Sequence, residues 1–418
     1  MTTPSAAAHP SAAPAPAGRQ LVAEALTPEF GFYLGASSRL AERRTPMQHI
    51  EILQTPLFGR VMRIDECFMT SERDEFFYPE PMVPLPAVSH GRPRSALVIG
   101  GGDGGTVEEL LKHPDMARVV LVELDGDVID MARTWLHSIH RGAFFDRRLD
   151  VHIGDGHAYV MQCTERFDQI VLDLTDPFGP AVALYTAEFY AACRRVLAPG
   201  GVLSLHIQSP IHRGDTLARI VASVQSAFPI VRPYLQYVPL YGTLWGMPMA
   251  SDSVDPLQLD AAEIDRRIAD LRPPDLQLDN AATHHAMLAQ PNYLRALLAT
   301  PARPIRDGEA LDDPSLDPSL NAAPRGPAPL PGRSGHTAGR RLHRRWRRRA
   351  VAAIINTANA IIAHASSVGT GAGKTLRSDR LSVLLASTSG GSLVAGRLGA
   401  HVRAPAGLRE PPGETTRA

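Results

Sequence analysis

Ten residues, Ala96–Gly105 (ALVIGGGDGG), restrict the fold of this chain more than any other stretch. An apolar run passes without a break into glycines, and a helical pattern opens at Thr106. A buried strand feeding a glycine turn and then a helix is the context in which α/β proteins cradle a nucleotide. The flanking sequence agrees. Strands are predicted at Ser95–Ile99, Arg118–Glu123, Leu149–Ile153, Asp168–Leu172 and Val202–Ile207. Helices are predicted between them, at Thr106–His113, Gly126–His137 and Ala187–Leu197, and after the last of them at Thr216–Phe228. Strands of continuous Val, Leu and Ile are those covered on both faces of a parallel sheet. The expected fold is a Rossmann-like, doubly wound α/β sheet of the methyltransferase type. Val231–Val238 and Leu244–Ala250 are expected to add an antiparallel pair at its edge, and Ala261–Leu271 and Asn292–Ala299 to close it as helices.

Before this domain, Gln48–Gln54, Gly59–Ile64 and Cys67–Thr70 alternate like short strands, broken at Thr55-Pro56 and Asp65-Glu66. We therefore expect a leader over 1–27, an antiparallel β domain over 28–85, the catalytic-type domain over 86–300 and a tail over 301–418. The leader is rich in Ala, Pro and Ser, and the tail in Pro, Gly, Ser and Arg, so both are expected to be disordered. The formal net charge is zero, but residues 1–300 hold 25 basic against 35 acidic side chains and the tail 18 against 8. An acidic body suits a cationic small molecule better than nucleic acid, which leaves at most a weak contact by Arg340–Arg349. Gly369–Thr375 (GTGAGKT) fails as a phosphate loop because Val368 stands where its first glycine belongs. Three scattered cysteines fit a reducing cytoplasm, and neither a secretory signal nor a membrane span is expected. His137 and His140 lack a third metal ligand, and His284-His285 reads as a packing or surface pair.

Glu123 ends the strand after the glycine turn, 18 residues beyond Gly105, where a carboxylate accepts the hydroxyls of a ribose. Asp155, after the third strand, is placed to accept from an adenine amino group. Asp103 lies inside the turn, where it would repel a pyrophosphate or the α-carboxylate of S-adenosylmethionine. It would attract the ammonium of decarboxylated S-adenosylmethionine. Asp173 and Asp176 follow the fourth strand, at the end where open sheets build sites. One carboxylate can take a proton from an amine nucleophile while another holds a distal ammonium. Tyr78 and Tyr241 can align that amine by hydrogen bonds and cation–π contact. A methyltransferase and a non-catalytic polyamine binder remain as alternatives.

These residues resemble the polyamine aminopropyltransferase (spermidine synthase) family. Gly59–Phe76, IGGGDGG, VELD at Val122–Asp125, GDG at 154–156, DLTDPFGP at 173–180, LAPGG and Asn280–Leu294 stand in the family's order. The resemblance covers about Phe30 to Leu298. It implies transfer of an aminopropyl group from decarboxylated S-adenosylmethionine, as co-substrate, to an amine, typically putrescine. The products are spermidine and 5′-methylthioadenosine, with no metal or redox cofactor, in a homodimer or homotetramer. It implies Asp173 as proton acceptor with Tyr78 beside the reacting nitrogen. Gln48, Gly101, Asp103, Glu123, Asp155, Gly156 and Pro180 are implied around the donor, and Asp103, Asp176 and Tyr241 around the amine. The family's usual His or Gln after the Phe-Phe-Tyr segment is Pro79 here. The segment Tyr237–Asp252 is similar to that of members making thermospermine. Acceptor alternatives are agmatine, cadaverine and spermidine.

Overall fold

The structure is a computed structural model, and it describes residues 20–272 and 276–311. Six strands open it: β1 (Gln20–Thr27), β2 (Phe30–Ala36), β3 (Ser38–Arg44), β4 (His49–Thr55), β5 (Gly59–Ile64) and β6 (Cys67–Ser71). β1 and β2 form an antiparallel two-stranded sheet, and β3–β6 an antiparallel meander. The expected leader over 1–27 is thus corrected at its end. Gln20–Thr27 alternates as a strand should, turning Val22, Glu24 and Leu26 inward and Leu21 out.

Two short helices follow, α1 (Pro79–Met82) and α2 (Pro84–His90). Each begins with proline, which tolerates a first-turn position because its missing N–H has no partner to lose there. They support the second domain's sheet. The Met82 carbonyl accepts from Ser204 Oγ (2.6 Å), that of Val83 from Gln169 Nε2 (3.2 Å) and that of Pro81 from Tyr234 OH (2.8 Å). The boundary expected at 85/86 therefore falls inside α2. Three prolines in the stretch 79–84 hid both helices.

The second domain runs β7 (Ser95–Gly100), α3 (Gly105–Lys112), β8 (Arg118–Glu123), α4 (Gly126–Trp135), α5 (His137–His140), β9 (Leu149–Ile153), α6 (Gly156–Gln162), β10 (Phe167–Asp173), α7 (Ala187–Val196), β11 (Leu197–Leu205), α8 (Gly214–Ala227), β12 (Ile230–Val238), β13 (Thr243–Ser251), α9 (Ala261–Leu271), α10 (Ala281–Leu288) and α11 (Asn292–Ala299). Its seven-stranded sheet has the order β12-β13-β11-β10-β7-β8-β9. The strands from β7 to β11 are parallel, whereas β13 runs antiparallel to both its neighbours, β11 and β12. The chain leaves β7 for β8 on one side and returns as β10 on the other, so a crevice opens at the carboxyl ends of β7 and β10. Ala96, Leu97, Val98, Val119, Val120, Leu121, Ile170, Val171 and Leu172 are fully buried, as expected of strands covered on both faces.

The expected start of the tail at Pro301 is also corrected. Ile305 is fully buried, its N–H donates to Ser223 Oγ (2.8 Å) and its carbonyl accepts from Ala187 N (2.9 Å). The run to Leu311 therefore closes the domain, although it is too polar and too short to show periodicity. Arg340–Arg349 and Gly369–Thr375 lie outside the described residues. Among the described residues, no helix is long and apolar enough to cross a membrane.

Candidate active site

A cavity of about 600 Å³ occupies the crevice beyond β7 and β10 and is walled on one side by β5 and β6. It gathers Gln48, Tyr78, Gly101, Asp103, Glu123, Asp155, Gly156, Asp173, Asp176 and Tyr241, drawn from both domains. Pro180 lies in the 3₁₀ turn Gly179–Tyr185, and its side chain is outside the described residues. Nine carboxylate side chains line the cavity, and no Lys or Arg is among the lining residues.

The glycine turn brings backbone against Asp173. Gly100 and Gly101 have φ of +79° and +70°, a region that favours glycine. Gly100 pairs with Asp173 in the β7–β10 register, and a Cβ on Gly101 would stand 2.8 Å from Asp173 Oδ2. That oxygen accepts from Thr106 Oγ1 at 2.6 Å, and the Tyr78 hydroxyl also hydrogen-bonds the carboxylate. Burial pushes the Asp173 carboxyl up to about 7. The Asp103 charge adds to the rise, and the Thr106 and Tyr78 hydrogen bonds oppose it. Asp103 is raised by burial too, against the Gly105 N–H (2.9 Å) and the Thr70 hydroxyl that bond to it. A carboxyl near neutrality in a partly closed cavity is suited to accept a proton.

At the β8 end of the cavity, Glu123 is buried at the strand tip and takes the Asp125 N–H (3.0 Å) and the backbone N–H groups of Gly102 and Leu124. Burial still raises it to about 7. Gln48 donates to Asp125 (3.1 Å), which ties β4 to the start of α4. Asp155 caps α6, its Oδ1 accepting from His157 N (2.8 Å) and Ala158 N (3.3 Å), so one of its oxygens is already engaged.

At the opposite end, Tyr241 donates its hydroxyl proton to the Met69 carbonyl (2.8 Å), which leaves its oxygen as an acceptor. Its ring packs edge-on against Tyr78 (6.0 Å) and Trp245 (5.0 Å). Pro79 lines the wall beside Tyr78 and presents an apolar ring. Both oxygens of Asp176 are engaged: Gln208 Nε2 donates to Oδ1 (2.8 Å) and Arg213 ion-pairs with Oδ2. Burial raises Asp176, but Arg213, His206 and Gln208 outweigh it and hold the group below the usual carboxylate range.

Sequence reasoning missed four contributors. His206 and Gln208 are polar residues just after β11, and Thr106 stands in the first turn of α3 directly after the glycine turn, positions that could have marked them. His206 Nε2 lies 2.9 Å from the Leu174 carbonyl and 2.8 Å from Tyr185 OH. Glu24 was hidden in the expected leader. His137 and His140 assemble no metal cluster, and none is found among the described residues. His284 is fully buried against Asp279 (3.4 Å), whereas His285 is exposed.

Residues 75–258 match the family model for the spermine/spermidine synthase domain, and residues 22–72 that for the spermidine synthase tetramerisation domain. A polyamine aminopropyltransferase of Nitrosomonas europaea is 64% identical over 305 residues, covering 73% of this chain and 94% of the relative. This chain belongs to the spermine/spermidine synthase family. A Bacillus subtilis polyamine aminopropyltransferase is 33% identical over 276 residues, covering 66% of this chain and 97% of the relative. A crystal structure of spermidine synthase in complex with the transition-state analogue AdoDATO superposes with a TM-score of 0.63 at 33% identity, over 67% of this chain and 94% of that one. Spermidine synthase from Thermotoga maritima gives 0.61 at 31%, with the same shares covered. The chain is accordingly a transferase with the aminopropyltransferase fold.

Proposed function

We propose that this enzyme transfers the aminopropyl group of decarboxylated S-adenosylmethionine to putrescine, forming spermidine and 5′-methylthioadenosine. The observation that supports it most is the cavity wall, with nine carboxylates and no Lys or Arg. Such a site attracts a sulfonium, an ammonium and a diamine, and repels a carboxylated donor.

In this reading Gln48, Gly101, Glu123, Asp155, Gly156 and Pro180 hold the nucleoside, and Asp103 takes the ammonium of the aminopropyl arm. Tyr78 and Tyr241 border the acceptor, with Asp176 beyond them. The amine lone pair attacks the aminopropyl carbon attached to sulfur. The C–S bond breaks, its electron pair returns to sulfur, and the donor leaves as a neutral thioether. The new secondary ammonium gives its extra proton to Asp173. A sulfonium is already a good leaving group, so alignment, water exclusion and one base suffice, and no resident cofactor is invoked.

We further propose a cytoplasmic homodimer or homotetramer, supported by the tetramerisation-domain match at residues 22–72. Light scattering on the eluting peak tests the oligomer. Calorimetry tests the donor: the decarboxylated form is expected to bind at least tenfold tighter than S-adenosylmethionine, and Asp103→Asn to narrow that ratio. Equal affinities would favour a methyltransferase.

A further inference from the structure

β10 ends at Asp173, paired with Gly100, and the chain then leaves the sheet. Leu174, Thr175 and Asp176 therefore carry carbonyls without a sheet partner, which must be satisfied in another way. Each has a partner of its own. The Leu174 carbonyl lies 2.9 Å from His206 Nε2, the Thr175 carbonyl accepts from Tyr185 OH (2.7 Å) and the Asp176 carbonyl from the Phe178 N–H (2.8 Å). His206 reaches this strap because β11 runs beside β10. Leu172 pairs with Leu205, the last residue of β11, so His206 stands against the chain as it departs. Tyr185 comes from the 3₁₀ turn before α7, and its hydroxyl lies 2.8 Å from the same ring nitrogen.

These contacts fix the proton on the ring. The tyrosine hydroxyl has one proton, spent on the Thr175 carbonyl, and the Leu174 carbonyl can only accept. Nε2 therefore carries the hydrogen, and Nδ1 is bare, with no hydrogen-bond partner among the described residues. Burial holds His206 below the usual imidazole range, against the charge of Asp176, so the ring is neutral. The residue is 2% exposed, and its ring packs on Trp245 (5.8 Å between centroids, 26° between planes) and edge-on to Tyr185 (5.9 Å).

We propose that His206 and Tyr185 are positioning residues for the reaction: together they hold the carbonyls of Leu174 and Thr175, and so fix where Asp173 and Asp176 stand relative to each other. This rests on the aminopropyl-transfer reading above. Each carboxylate is held at its own tip, Asp173 by Thr106 and Tyr78, Asp176 by Gln208 and Arg213. His206 and Tyr185 hold the backbone between them. A neutral ring does this without placing a cation in a wall of carboxylates that receives cationic substrates.

The test measures kcat with putrescine, its pH dependence and the affinity for 5′-methylthioadenosine in wild type and four variants. Tyr185→Phe deletes one oxygen, and His206→Leu deletes the ring donor. Each is expected to lower kcat at least tenfold, since small misplacements of reacting groups are costly, and to leave the affinity for 5′-methylthioadenosine within twofold. A loosened strap lets water reach Asp173, so the acid limb of kcat against pH is expected to move down by at least half a pH unit in both. The losses are expected not to multiply in the double variant, because both residues act on one strap. His206→Gln puts an amide Nε2 where the ring Nε2 stands and is expected to bring kcat back to within threefold of wild type. Tyr185→Phe, the milder change, decides the question where His206→Leu does not fold. Unchanged kcat in the single variants, a lowered kcat with an unmoved acid limb, or losses that multiply in the double variant overturn the assignment. Absence of product from wild-type enzyme with every amine tried overturns the underlying reading as well, whereas wild-type turnover with indifferent variants overturns this inference alone.

Discussion

Replacing Asp173 by asparagine should make the protein more stable as it makes it inactive. The carboxyl is raised from 3.8 to about 7 in the folded chain. A group whose folded pKa lies above its unfolded value makes no difference below pH 4, where both states are protonated. Its ionisation opposes folding increasingly from there, and the full penalty is present once pH exceeds the folded value. At 1.36 kcal/mol per pKa unit the penalty is on the order of 4 kcal/mol, and screening by water in the cavity brings it to about 2 kcal/mol. Asparagine carries no charge, and its carbonyl can still accept from Thr106. For a domain of this size about 2 kcal/mol corresponds to a rise in Tm of roughly 4–8 °C. Thermal melts of wild type and Asp173→Asn from pH 4.5 to 8.5 are the assay. The two Tm values should converge toward pH 4, draw apart steadily between pH 4.5 and 7, and keep a constant gap above pH 7.5, with the variant higher. A variant that melts at or below wild type at pH 8 refutes the claim that Asp173 is held against its electrostatic preference.

Other consequences are as direct. Asp173→Asn should lower kcat by roughly 10²–10⁴-fold, the usual worth of a general base, with donor affinity little changed in calorimetry. Tyr78→Phe removes a hydrogen bond that holds the Asp173 pKa down, so the acid limb of kcat against pH should move up. An unmoved limb separates Tyr78 from the base. Truncation after Thr300 removes the buried Ile305 and should cost about 2–5 kcal/mol in urea unfolding, whereas truncation after Leu311 should cost far less. Equal effects of the two truncations would return the boundary to Thr300.

The legible parts of the chain were those where one physical signal dominates. Buried parallel strands appear as unbroken aliphatic runs, and the glycine turn and the acids at strand ends stand at fixed offsets from them. Gly101, Asp103, Glu123 and Asp173 could therefore be placed together before any coordinates. What stayed hidden depends on partners far along the chain. The engagement of Asp176 joins it to a residue 37 positions away, Arg213. Glu24 reaches the cavity because β1 pairs with β2 and because its carboxylate accepts from Phe68, 44 positions on. Helices α1 and α2 were obscured because proline reads as a breaker unless its place in the first turn is known. Ile305 is a single anchor, and one buried side chain in a polar stretch has no period to detect.

The central claim is the reaction. Purified enzyme is incubated with decarboxylated S-adenosylmethionine, or with S-adenosylmethionine, and with putrescine, cadaverine, agmatine or spermidine, and the products are read by mass spectrometry. The account predicts spermidine and 5′-methylthioadenosine in equal amounts from putrescine with the decarboxylated donor. Methylated product from S-adenosylmethionine, or donor binding without any aminopropylated amine, would contradict it.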